Sequence, residues 1–137
     1  MSNGKPERVW GSAVDLSEAE KYDGQRLGQG KLQGECAAGV QYVFITAGKP
    51  LGLTKTWKQG KKVRGGNIKP GTAIASFRNG KYQQDHAAIF IEETEKGLWV
   101  WDQYNTPRKA WGKRLLSFSA GENDHSNNGN LFYTIEK

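Results

Sequence analysis

The chain is poor in the residues that staple a fold or ligate a metal. Of its 137 residues one is cysteine, Cys36, and two are histidine, His86 and His125. A lone cysteine excludes an intramolecular disulfide framework and any zinc site built from several thiolates. Two histidines without an HExxH spacing speak against a zinc peptidase, so neither metal nor cofactor is expected. Four prolines against 18 glycines point to many tight turns rather than a stiff linker. No run approaches the roughly 20 consecutive apolar residues of a membrane helix, so no membrane insertion is expected. Met1–Pro6 lacks the apolar stretch of a cleaved signal peptide, and cytoplasmic synthesis without a leader is the expectation.

Charge and aromatics are present in quantity. Twenty Lys and Arg stand against 14 Asp and Glu, a formal charge of +6, which favours anionic partners such as nucleic acid, anionic cell wall or an acidic protein. Five each of Trp, Tyr and Phe argue for a folded chain, since disordered segments are poor in aromatics. A chain of this mass buries one core and hardly two, so residues 1–137 read as one domain. Residues 1–30 form a polar segment that packs on the core or precedes it.

Patterning predicts an α+β domain with a mainly antiparallel sheet. A short helix is expected over Leu16 to Lys21, capped by Asp15 or Ser17. The clearest helical period runs from Glu35 to Ala47, where Cys36, Val40, Val43, Phe44 and Ala47 share one face. Gly48 and Pro50 follow as stop signals. Thr54 to Gly66 reads as a basic, irregular stretch around Trp57. Strands are predicted over Thr72–Arg78, His86–Glu92, Leu98–Tyr104, Arg114–Ser119 and Leu131–Glu136.

The pleat places His86, Ala88 and Phe90 on one face of the second predicted strand, and Leu98, Val100 and Asp102 on one face of the third. In an antiparallel pair, His86 at the start of one strand neighbours Asp102 at the end of the next. Cys36, in the first turn of its helix, would meet free N–H groups and a partial positive charge, both of which favour the thiolate. Thiol, imidazole and carboxylate in that order are the parts of nucleophilic catalysis. The backbone N–H of Cys36 is one candidate donor to an oxyanion; Gln33, Gln29 and Tyr22 are upstream candidates for a second. Gln103 points away from Asp102 unless a bulge intervenes, in which case it could serve as the third residue. His125 lies in a polar Asn/Asp/Gly loop and reads as a surface residue.

Gly34-Glu35-Cys36-Ala37 opening an amphipathic helix, Lys69-Pro70-Gly71-Thr72 opening a strand and Asp85-His86-Ala87-Ala88 opening the next resemble the NlpC-type and CHAP-type cell-wall peptidases of the papain-like superfamily. The resemblance spans about half the chain, Gly34 to Tyr104. It implies an NlpC-type fold with the Cys36 helix packed on the sheet, and catalysis by Cys36, His86 and a polar third residue, here Asp102. As a single small domain the chain is also similar to the peptidoglycan amidase effectors of bacterial type VI secretion. That similarity implies cleavage of an amide in the peptide stem or cross-link of Gram-negative peptidoglycan, delivery by secretion machinery into a target periplasm, and a cognate immunity protein. The rival is a basic, non-enzymatic module for nucleic acid or anionic wall, in which Trp57 interleaves with Lys58, Lys61, Lys62 and Arg64.

Overall fold

The computed structural model describes residues 11–137; the expectations for Met1–Pro6 lie outside them. Two helices, α1 (Leu16–Glu20) and α2 (Cys36–Thr46), precede six strands. These are β1 (Lys58–Lys62), β2 (Ala73–Ser76), β3 (Ala87–Glu93), β4 (Gly97–Tyr104), β5 (Lys109–Ser117) and β6 (Phe132–Glu136). They form one sheet in the order β1-β6-β2-β3-β4-β5, antiparallel at every step. The α+β architecture matches the expectation.

Both faces of the sheet are covered. On one, Ala73, Ala75, Ala87, Ile89, Trp101 and Trp111 pack against Val40, Val43 and Phe44 of α2. On the other, Ile74, Ala88, Phe90, Leu98, Val100 and Leu116 pack beneath Val63 and Ile68 of the loops. The three alanines leave room for the helix. So does Gly39, at which an added Cβ would lie 2.8 Å from the Trp111 ring and 2.9 Å from the Gln103 amide. The N-terminal segment, as far as it is described, packs on this core through Val14, Ala19 and Leu27. It is tied down where Val14 N–H donates to the Gly71 carbonyl at 3.0 Å. Gly71 has φ 97°, and a Cβ there would stand 1.8 Å from the Val14 carbonyl oxygen, so the turn ahead of β2 requires glycine.

The basic stretch departs from its expected form. Residues predicted to be irregular contain a 3₁₀ turn, Thr54–Thr56, and an edge strand, β1, paired with β6. The pattern was hidden because Lys58, Gln59, Lys61 and Lys62 are all exposed. An edge strand carries such lysines as protection against pairing with other chains. Trp57 is buried, with its indole N–H donating to the Leu51 carbonyl at 3.2 Å. It therefore offers no stacking face to a base, and the nucleic-acid reading loses its aromatic. Strand β5 begins at Lys109 rather than Arg114, carried there by pairing of Tyr104 with Lys109 and Asp102 with Gly112.

Gly39→Ala is expected to overpack the helix–sheet contact and lower stability by about 1–3 kcal/mol, measured by urea unfolding followed by tryptophan fluorescence.

Candidate active site

The site is assembled where β3 begins and β4 ends. His86 directly precedes β3, and Asp102 lies near the end of β4 on the face shared with Val100 and Leu98. Both side chains are buried, and His86 Nε2 is 2.7 Å from Asp102 Oδ2. With Nε2 engaged, Nδ1 is the nitrogen left for a thiol.

A buried carboxylate needs more than one partner. Arg114, two positions along β5 from the residue opposite Asp102, donates from Nε to Asp102 Oδ2 at 2.8 Å. The Lys109 ammonium, which donates to the Asp102 and Ala110 carbonyls, lies 3.3 Å from Oδ1. Arg114 also donates to Asn127 Oδ1 at 2.6 Å and the Ser126 carbonyl at 3.3 Å, which ties the 121–128 loop to the site. Burial pushes the Asp102 carboxyl up, but the bond and charge of His86 and the Arg114 guanidinium outweigh it. The result lies below the usual carboxylate range.

Cys36 is the first residue of α2. Its N-cap, Glu35, makes no side-chain capping bond, whereas Asp15 caps α1 by accepting from Ser17 N–H at 2.9 Å. The first N–H groups of α2 are thus left for another acceptor. Burial raises the thiol pKa; the His86 ring, the Ala87 N–H and the Tyr82 hydroxyl bring it below its ordinary value. Burial likewise disfavours a charged His86, yet Asp102 and Cys36 hold its pKa above that of an ordinary histidine. These opposite shifts favour a thiolate–imidazolium pair.

Two clefts meet at the thiol and share Glu35, Cys36 and Gln84. One contains His86, Tyr104, Arg114 and Asn127. The other is more apolar, with Leu32, Leu53, Lys55 and Tyr82; Leu32 and Leu53 are both exposed. Among the described residues no group of three or more His, Cys, Asp and Glu could hold a metal ion.

The other candidate residues have these places in the fold. Gln33 lines neither cleft: its amide donates to the Arg26 carbonyl at 3.3 Å, and its carbonyl accepts from Asn105. Tyr22 bonds Thr46 at the far end of α2. A register shift does occur between Asp102 and Tyr104, but Gln103 stays on the opposite face. Its Oε1 accepts from Leu27 N–H at 2.8 Å, and its Nε2 donates to the carbonyls of Leu27 at 3.0 Å and Glu35 at 2.8 Å. It clamps the loop that delivers Cys36. His125 is half-buried, bonded to the Asn123 carbonyl, and outside both clefts. Arg114, Lys109, Tyr82 and the 121–128 loop were not anticipated. Arg114 had a faint signal, as a charge between Gly112 and Leu116 on the inner face of a strand.

A helix-borne cysteine seated against a histidine-bearing antiparallel sheet defines the papain-like, NlpC-type class. A solved structure, that of a type VI secretion amidase effector 2, superposes with a TM-score of 0.67 at 26% identity, covering 91% of this chain and 94% of its own. Residues 8–135 match the family model for domesticated amidase effector 2. A type VI secretion amidase effector 2 protein of Salmonella typhi is 35% identical over 93% of this chain and 98% of its own length. A domesticated amidase effector 2 of Ixodes scapularis is 38% identical over 61% of this chain and 58% of its own. The chain belongs to the domesticated amidase effector 2 family.

Arg114→Met is expected to cost about 2 kcal/mol or more at neutral pH by leaving Asp102 under-compensated. Because the Asp102 pKa is lowered in the folded state, its ionised form contributes stability above its unfolded pKa, and that contribution fades as pH falls through the folded value. The penalty should shrink in the same direction, as read from urea unfolding at a series of pH values.

Proposed function

We propose that the chain is a cysteine amidase that cleaves amide bonds in the peptide stem or cross-link of Gram-negative peptidoglycan. The observation that carries the reading is the buried His86–Asp102 pair, 2.7 Å apart, beside a lowered-pKa thiol at a helix N-terminus in a chain of amidase-effector ancestry.

In the reaction, Cys36 Sγ attacks the amide carbon and the carbonyl electron pair moves to oxygen. The resulting oxyanion meets the Cys36 N–H and the positive end of α2. The tetrahedral intermediate collapses, the C–N bond breaks, and His86 gives its proton to the departing amine. Water then enters; His86 takes its proton and the thioester opens to a carboxylic acid and free thiol. Asp102 holds the ring throughout and stabilises its charge, while Arg114 and Lys109 keep Asp102 ionised. Because His86 lies in the polar cleft, the amine half of the substrate belongs there and the acyl half in the cleft of Leu32, Leu53 and Lys55.

The names of the relatives support a secreted effector acting in the periplasm of a target cell, delivered by secretion machinery and countered in its producer by an immunity protein that fills the clefts. The +6 charge suits adsorption to an anionic wall. Residues 1–137 act as one catalytic domain.

Cys36→Ala should lower release of peptidoglycan fragments by about 10³-fold or more with the fold intact, as read by mass spectrometry of digested sacculi. Full activity in that variant would overturn the reading. The pH profile of kcat/KM should be bell-shaped: activity rises as the Cys36 thiol ionises below its ordinary value and falls as pH climbs through the raised His86 value and the imidazolium is lost. Asp102→Asn should move the falling limb to lower pH.

A further inference from the structure

Stabilising an oxyanion takes two convergent donors. The uncapped N-terminus of α2 supplies one in the N–H of Cys36. The upstream candidates do not converge on the thiol: Gln33 bonds Arg26, Tyr22 bonds Thr46 and Gln29 lines neither cleft, while Gln103 on β4 is taken up by Leu27 and Glu35. A second donor is therefore sought among the other groups that line the clefts with Cys36.

Tyr82, in the connection between β2 and β3, lines the apolar cleft together with Cys36. Its ring is held by Trp57, with centroids 5.0 Å apart, and by Phe77 at 6.1 Å. Both neighbours are buried, so the phenol has little freedom to swing away. Its hydroxyl is shut off from solvent and has no partner at hydrogen-bond geometry, yet it lies near enough to the Cys36 thiol to help lower its pKa. An unpaired buried hydroxyl is costly unless a partner arrives at some stage.

We propose that the Tyr82 hydroxyl is the second oxyanion donor, working with the backbone N–H of Cys36. The assignment rests on Cys36 being the nucleophile. As the Sγ–C bond forms, negative charge passes from sulfur to the former carbonyl oxygen. The phenol O–H follows it by rotating about its C–O bond, donating a hydrogen bond and keeping its proton. When the intermediate collapses and the C–N bond breaks, the amine takes its proton from His86, and Tyr82 returns to face the sulfur. Burial and the neighbouring thiolate push the Tyr82 pKa well up, so the group remains a donor wherever the enzyme works.

The test is Tyr82→Phe, which keeps the ring and removes the hydroxyl, assayed on a soluble peptidoglycan peptide fragment. The expected result is a fall in kcat of about 10²-fold with KM little changed. Alkylation of Cys36 by iodoacetamide, which forms no oxyanion, should proceed at the wild-type rate once pH exceeds the thiol titration in both proteins. Affinity for a peptide aldehyde, whose thiol adduct mimics the intermediate, should drop alongside kcat/KM. Tyr82→Leu, a second side chain without the hydroxyl, should show the same split between hydrolysis and alkylation. Wild-type turnover in Tyr82→Phe would overturn the assignment, and so would a parallel loss of hydrolysis and alkylation, which means Tyr82 acts only on the thiol or the packing. Cys36→Ala run alongside separates the two readings: turnover there at the wild-type rate refutes the nucleophile, whatever Tyr82 does.

Discussion

Asp102 is a carboxylate sealed under the end of a sheet, and the surrounding architecture follows from keeping its charge there. Removing an ion from water costs several kcal/mol even after relaxation, so the carboxylate exists only because cations and hydrogen bonds meet it. His86 at 2.7 Å and Arg114 at 2.8 Å share one oxygen, and Lys109 stands 3.3 Å from the other. The arrangement also organises parts that never touch Asp102. Arg114 stacks over the Tyr104 ring, 5.0 Å from its centroid, and draws in Ser126 and Asn127, so the wall of the polar cleft is held through the same guanidinium. A neutral residue at 102 would remove the reason for Arg114 to sit where it does.

Strand β4 sets the mutual placement of thiol and imidazole with two consecutive residues. Asp102 faces one side of the sheet and fixes His86; Gln103 faces the other and fixes the Leu27–Glu35 loop that leads into α2. Gly39 lets the helix settle directly on Gln103 and Trp111. The separation between Cys36 and His86 is therefore governed by a short stretch of extended backbone, among the stiffest elements available. A loop would hold the same pair with less precision.

Elements with a strong period were legible in the sequence. Val40, Val43 and Phe44 declared α2, and the strand ends at His86 and Asp102 read as neighbours in an antiparallel pair. The motifs around Cys36, Pro70-Gly71 and His86 carried the family. What escaped were features created by partners distant in the chain. Strand β1 has no apolar side because it is an edge, so its five residues resemble a loop. Arg114 and Lys109 become meaningful only once the β4–β5 register sets them near Asp102. Tyr82 lies outside any regular element, and only the packing of Trp57 and Phe77 around it distinguishes it from a loop aromatic. Gln33, a candidate donor by its place before the helix, turns its amide to the Arg26 carbonyl, a contact its sequence position does not announce.

The site draws on five stretches of chain, around Cys36, Tyr82, His86, Asp102 with Lys109 and Arg114, and Ser126 with Asn127. The contacts of Asp102 with His86, Lys109 and Arg114 can form within the β3–β4 and β4–β5 hairpins; the thiol and the 121–128 loop come from distant parts of the described chain. Such nonlocal wiring makes folding slower than in a helical bundle of equal length, and it makes the chemistry all-or-none. A denatured chain carries every reactive group yet has an ordinary cysteine and an ordinary histidine, since the shifts of both come from folded contacts. Hydrolytic power here is a property of the closed tertiary structure.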